Sequence, residues 1–150
     1  MTGYRLGYLI APKPFIRTLQ ILHQNFFISA NSFVQKAGIA ALQEGEAPLK
    51  KIRQTFNERR LMMLEGVRRL GFTVQREPTG AFYIFANAKQ FTNNSKRFAF
   101  DLLDKTGVGV TPGIDFGSGG EGYLRFSYAT SLENITEGLE RIGAYLSSPE

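Results

Sequence analysis

The 150-residue sequence contains no cysteine and a single histidine. Without cysteine there is no disulfide framework, no thiolate chemistry and no cysteine-ligated metal. One histidine rules out a histidine metal cluster. His23 sits in the apolar run "LQILHQNFF" with no obvious nucleophile beside it, and a packed structural role is expected for it. No run approaches the ~18 apolar residues of a membrane span, and the N-terminus lacks a signal-peptide layout. No membrane partner is therefore expected, and the cytoplasm is the expected compartment. Internal repeats, low-complexity stretches and internal linkers are also missing.

What remains is a chain of ordinary globular composition, 43% hydrophobic and 21% charged, long enough to bury a real core. The net charge of +5 raises the question of nucleic acid. The basic residues are scattered, however, and their densest group (Lys50, Lys51, Arg53, Arg59, Arg60, Arg68, Arg69) falls on one predicted helix. A solvated helix face explains that group, and no nucleic-acid partner is expected.

"GYRLGYLIAP" alternates tightly and ends at Pro12, which predicts a strand over Tyr4 to Ala11. Tyr4, Leu6, Tyr8 and Ile10 would share one face, with Arg5, Gly7 and Leu9 on the other. Both faces are largely apolar, as in a strand covered on both sides. A helix follows from Lys13, with Pro14 tolerated in its first turn. A second is predicted over "NSFVQKAGIAALQ", with Ser32 and Gln35 at capping-box spacing. A third, from Glu46 to Leu70, ends at Gly71.

Beyond it, "FTVQ" and "GAFYIFA" read as strands joined through the turn "EPTG". "SKRFAFDLLDKTG" reads as a helix stopped by Gly107, "VGVTPG" as a short strand entering a turn, and "GYLRFSYA" as a strand. The last helix, capped by Ser131, carries the stripe Leu132, Ile135, Leu139, Ile142 and Leu146. From Phe72 onward the pattern is that of a compact α+β unit; the first strand and its helix look like the edge of something larger.

"GSGGEG" at Gly117 to Gly122 matches G-x-G-x-x-G letter for letter. A dinucleotide fingerprint needs a strand before the glycines and a helix after them. Here a strand follows, so the stretch reads as a close-approach loop. Two arginines stand out because each sits in mid-strand by pattern. Arg125 shares a face with Tyr123 and Ser127, opposite Leu124, Phe126 and Tyr128. A guanidinium in such a place costs several kcal/mol unless an anion pairs with it. That anion is either an internal carboxylate or a ligand's carboxylate or phosphate, and spacing alone leaves both open.

"MTGYRLGYLIAP", "NSFVQKAGIAAL", "FNERR", "PTGAFYIF", "GVGVTPGIDFGSGGEGYLRFSYATS" and "ENITEGLERI" occur in this order. Together they resemble the C-terminal part of the class I/II pyridoxal-phosphate-dependent aminotransferases, the aspartate aminotransferase type. The resemblance covers essentially the whole chain. "FNERR" departs slightly, with Leu61 where many relatives carry an acidic residue.

The resemblance implies the α+β C-terminal small domain of a fold type I transferase, with the last strand of the large domain at its N-terminus. Residues 1–28 would end the large-domain sheet and begin the interdomain helix region; residues 29–150 would be the small domain. It implies pyridoxal 5′-phosphate as cofactor, amino acid and 2-oxo acid substrates, and a homodimer. Arg5 resembles the arginine that grips the cofactor phosphate, and Arg125 the one that binds the substrate's α-carboxylate. Gly80, Pro112, Gly113 and Phe116 look like wall and gate elements of the substrate pocket. Ile28 to Ser32 lies where relatives approach the other subunit's active site.

The resemblance places the Schiff-base lysine a short way before Arg5, upstream of Met1. None of the seven lysines of the chain lies in a matching motif. No catalytic residue is therefore expected within the chain, which reads as an aminotransferase fragment inactive alone. Two other readings stand beside it: a free-standing module that binds a small carboxylate or another partner, and an RNA-binding α+β domain with "GYLRFSY" as its aromatic strand. Against the second, Glu121, Leu124 and Arg125 occupy positions where an RNP1 strand wants other residues.

Overall fold

A computed structural model describes residues 2–148. By internal contacts the chain divides into two units, Met1–Lys51 and Ile52–Glu150.

The first unit opens with a 3-10 turn at Thr2–Tyr4. The strand expected over Tyr4 to Ala11 is not formed: Arg5 takes a left-handed turn conformation (φ 53°), and residues 6–12 have no regular structure. A strand exists only through ladder bonds to a neighbour, and the described residues offer this segment none. Arg5 is thus an exposed turn residue rather than a mid-strand one.

Helix α1 (Lys13–Phe26) starts behind Pro12 and carries Pro14 in its first turn, where no intrahelical N–H is lost. It buries no residue. Helix α2 (Ser32–Glu44) is capped one position earlier than expected. Asn31 Oδ1 accepts the Phe33 N–H at 3.2 Å, and the Gln35 amide donates to the Ala30 carbonyl at 2.8 Å. Asn outranks most residues at this position, and its side chain leaves Ser32 free to enter the helix. Leu6 packs on Gly38, where any side chain would collide with it. Helix α3 (Glu46–Arg69) begins in this stretch and runs on to bury Met63, Leu64, Gly66 and Val67.

The second unit is built round a three-stranded antiparallel sheet in the order β1-β3-β2, with β1 Tyr83–Asn87, β2 Thr111–Pro112 and β3 Tyr123–Ser127. Strict alternation sorts the side chains. Ile84, Ala86, Leu124 and Phe126 point into the core and are buried, Leu124 and Phe126 sharing one face as the parity of "GYLRFSYA" predicted. They meet Met63, Leu64 and Val67 of α3, Phe98, Ala99 and Leu102 of α4 (Ser95–Thr106), and Ile135, Leu139 and Ile142 of α5 (Leu132–Ser147). Gly66 lets α3 approach α5 closely, since a Cβ there would strike the Leu139 side chain.

The expected "FTVQ" strand reduces to one bridge, Thr73 to Asn87, flanked by buried Phe72 and Val74. Helix boundaries follow their local signals. Gly71 (φ 97°) and Gly107 (φ 70°) turn the chain at the ends of α3 and α4. Asn94 caps α4 through the Arg97 N–H, and Ser131 caps α5 through the Asn134 N–H. Overall these elements make the mixed α+β architecture that the sequence implied.

Candidate active-site face

The second face of the sheet carries Tyr83 and Phe85 from β1, Tyr123 and Arg125 from β3, and Thr111 from β2. Arg125 is at its centre, opposite Phe85 on one side and Thr111 on the other. Its guanidinium is half-buried, and among the described residues no carboxylate lies within 4.0 Å of it. Among the described residues the internal salt bridge left open by the sequence is therefore not formed. Nη2 instead donates to Thr111 Oγ1 at 3.1 Å. Two aromatic rings lie against the cation, with Cζ 4.2 Å from the Tyr83 centroid and 4.9 Å from that of Phe116. A guanidinium has five N–H donors, so a pair remains for a planar carboxylate after the Thr111 bond.

Sequence reasoning missed Tyr83 and Thr111 as neighbours of Arg125. Tyr83 pairs with Ser127 and is thus the diagonal neighbour of Arg125, within reach of a long side chain. Strand alternation places Tyr83 on a face with Phe85, but only the register brings that face beside Arg125.

The glycine-rich loop has a structural role. Gly113 and Gly120 pack backbone to backbone, so that a Cβ on either would strike the other's carbonyl oxygen. Gly113 is the first residue of the 3-10 turn Gly113–Phe116, so the contact holds the start of the turn that carries Phe116. The loop is also tied to α4. Glu121 Oε1 accepts the Ser95 N–H at 2.6 Å and the Gly122 N–H at 2.7 Å, while the buried Ser95 Oγ accepts the Ile114 N–H at 3.2 Å. The Ser95 and Gly122 N–H groups hold the Glu121 carboxyl below its ordinary 4.5.

Of the other residues expected near the site, Phe116 is half-exposed beside Arg125, Gly113 serves the backbone contact, and Gly80 has open space around it. Ala81 next to it holds a positive φ of 58°, with its carbonyl accepting the Tyr128 hydroxyl at 3.2 Å. Burial raises the Tyr128 pKa, partly offset by Arg60. Ile28 also has a positive φ, 64°, unusual for a β-branched residue, at the turn between α1 and α2. Arg5 belongs to the 1–51 unit and Arg125 to the 52–150 unit. Arg5 is exposed and has no carboxylate within 4.0 Å among the described residues. Among those residues no three acidic or histidine side chains gather into a metal site, and no helix is long and apolar enough to cross a membrane.

Residues 1–142 match the family model for aminotransferase class I and II. A (5-formylfuran-3-yl)methyl phosphate transaminase from Methanocaldococcus jannaschii is 42% identical over 148 residues, covering 98% of this chain and 39% of that protein. An aspartate aminotransferase from Pyrococcus horikoshii is 40% identical over 95% of this chain and 37% of its own. Among solved structures, an aromatic aminotransferase from Pyrococcus horikoshii superposes with a TM-score of 0.89 at 33% identity, covering 97% of this chain and 39% of that one. A Methanococcus jannaschii protein, described as similar in its active site to kynurenine aminotransferases, gives 0.88 at 41%, covering 98% and 39%. The chain thus spans about two fifths of the length of the relatives it matches. It belongs to the class I and II aminotransferases.

Proposed function

We propose that this chain supplies the substrate-carboxylate side of an aminotransferase active site, with Arg125 binding the α-carboxylate of an amino acid and of the matching 2-oxo acid. One observation carries the reading: a half-buried guanidinium at the centre of the sheet with no carboxylate partner among the described residues. A bidentate grip fixes two carboxylate oxygens, and so restrains the orientation of the bond between Cα and its hydrogen. That positioning is the contribution of Arg125 to the reaction.

Arg5 fits a phosphate. It stands on an exposed turn with no carboxylate beside its guanidinium among the described residues, and a dianion suits a permanently charged fork. Pyridoxal 5′-phosphate, when bound, supplies the electron sink that stabilises negative charge at the substrate's Cα. The chain offers that cofactor little besides Arg5. One charge-assisted contact is worth about 1–3 kcal/mol, whereas a millimolar dissociation constant already needs about 4 kcal/mol. None of the seven lysines lies in a motif that would attach it. The 150 residues by themselves are accordingly inactive, and the activity belongs to a longer protein, a cytoplasmic homodimer. In that protein residues 1–28 end the large domain and residues 29–150 form the small one. Ile28, with its positive φ, stands at the end of the first of these segments.

The experiment compares the 150-residue chain with the same chain joined to the remaining three fifths of an aminotransferase relative. The chain alone should transaminate no amino acid; the joined protein should do so. In the joined protein Arg125→Ala should raise the amino-acid KM far more than the cofactor dissociation constant. One cofactor per chain, trapped by borohydride on a single lysine of the 150 residues, would overturn the reading. Carboxylate binding at Arg125 without transamination by the joined protein would favour a non-catalytic module instead.

A further inference from the structure

We propose that Tyr83 and Phe116, together with Thr111, are positioning residues that preset Arg125 for its carboxylate. This rests on the reading of Arg125 as the carboxylate partner, and goes beyond it by naming what aims that side chain. An arginine has a long, flexible stem, and ordering it on ligand binding costs conformational entropy. Here the ordering precedes the ligand. The rings of Tyr83 and Phe116 lie 4.2 and 4.9 Å from the guanidinium carbon, distances at which the ring quadrupole attracts the cation. Thr111 Oγ1 takes one N–H of Nη2. A ring attracts the cation without offering a hydrogen-bond acceptor oxygen, so the N–H groups other than the one on Thr111 stay available to a carboxylate.

Each ring is itself held. Tyr83 packs on Phe82, with centroids 4.4 Å apart. Phe116 meets Phe85 edge-on at 5.7 Å and 88°. Phe116 also sits in the turn whose start is held by the Gly113–Gly120 contact. The glycine-rich stretch therefore serves Arg125 at one remove, by placing a ring against it. Rings are suited to this work because they attract the cation without offering a carboxylate that would compete with the substrate.

The test uses the 150-residue chain and sodium pyruvate as the carboxylate probe, with sodium chloride at equal ionic strength as control. The Arg125 Nε–H signal, identified by its loss in Arg125→Lys, should shift saturably with pyruvate and not with chloride. Tyr83→Leu should weaken pyruvate binding about three- to tenfold, the range expected for one cation–π contact. Tyr83→Phe, which keeps the ring, should bind as the unmodified chain does. Phe116→Leu, at a half-exposed position that does not threaten folding, should also weaken binding while backbone amide signals remote from the face stay in place. Unchanged pyruvate affinity in Tyr83→Leu and Phe116→Leu would overturn the positioning roles and leave Arg125 as the carboxylate partner. No saturable shift in the unmodified chain would overturn both.

Discussion

Helices α1 and α5 are both strongly amphipathic, yet α1 buries no residue while α5 buries Ile135, Leu139 and Ile142. The same contrast separates the two units. In residues 52–150 the apolar side chains of three helices and a sheet face converge on one core. In residues 1–51 Tyr8, Leu9, Ile10, Phe26, Phe27 and Ile28 stand exposed. An apolar stripe is enough to write a helix, but it stabilises nothing until a second surface removes it from water. The 52–150 unit contains its own second surface. For α1 the described residues provide none.

The largest expected effect tests this difference directly. Leu124→Ala, at a fully buried position of β3, should cost about 2–5 kcal/mol in urea unfolding. The equivalent truncation of the exposed Leu22 on α1 should stay within about 0.5 kcal/mol. Equal losses would erase the contrast.

Next comes association. The exposed apolar side chains of residues 1–51 should drive the chain to self-associate, each large one gaining about 1.5–3 kcal/mol when fully covered. Sedimentation velocity should show association at micromolar concentration, relieved by Phe26→Gln with Phe27→Gln. A monodisperse monomer before substitution would refute this.

A third test stays within the 52–150 unit. Gly120→Ala, which would drive a Cβ into the Gly113 carbonyl, should cost about 1–3 kcal/mol as overpacking. Gly119→Ala, with open space around it, should be close to neutral. Similar melting temperatures for the two would mean that the loop relaxes freely.

Helix caps give a smaller effect and compare the units at like chemistry. Ser131→Ala and Asn31→Ala should each cost about 1 kcal/mol of helix stability. Ser131→Ala should appear in global unfolding, and Asn31→Ala chiefly as lost helical circular dichroism. Ser32→Ala should do less than Asn31→Ala; the reverse order would restore the cap that the sequence suggested.

The smallest effect is a pH dependence. Glu121 has a lowered folded-state pKa, held there by the Ser95 and Gly122 N–H groups. Its stabilisation is fully present above its unfolded value, ordinarily 4.5, and is lost as pH falls through the lower folded value. Glu133, lowered by its own N–H and by the Ser131 hydroxyl, adds a contribution of the same sign. Glu121→Gln should therefore flatten part of the stability lost on acidification below that pH and leave the Glu133 part. Parallel stability–pH curves for Glu121→Gln and the unmodified chain would show that the tie to α4 carries no charge-dependent strength.

Much of the molecule is legible residue by residue. Gly71 and Gly107 end their helices because a left-handed residue costs least without a Cβ. The stripe on α5 and the parity of β3 follow from periods of 3.6 and 2, which the backbone imposes on any sequence. Arg125 could be singled out because a charge alternates there with core residues, and the order of motifs tied it to the family. The strand expected at Tyr4 to Ala11 had equally good alternation and did not form. Alternation describes how a strand would present its side chains, whereas a strand's existence depends on a neighbour's N–H and C=O groups. "FTVQ" shrank to a single bridge for the same reason. The surroundings of Arg125 were likewise decided by tertiary structure alone. Tyr83 comes from β1, Thr111 and Phe116 from the continuous stretch of β2 and the 3-10 turn after it, and nothing local to either segment specifies the register and loop closure that bring them to one guanidinium. Local geometry is written into each segment by its own backbone and side chains; what each side chain meets depends on segments far away in the chain.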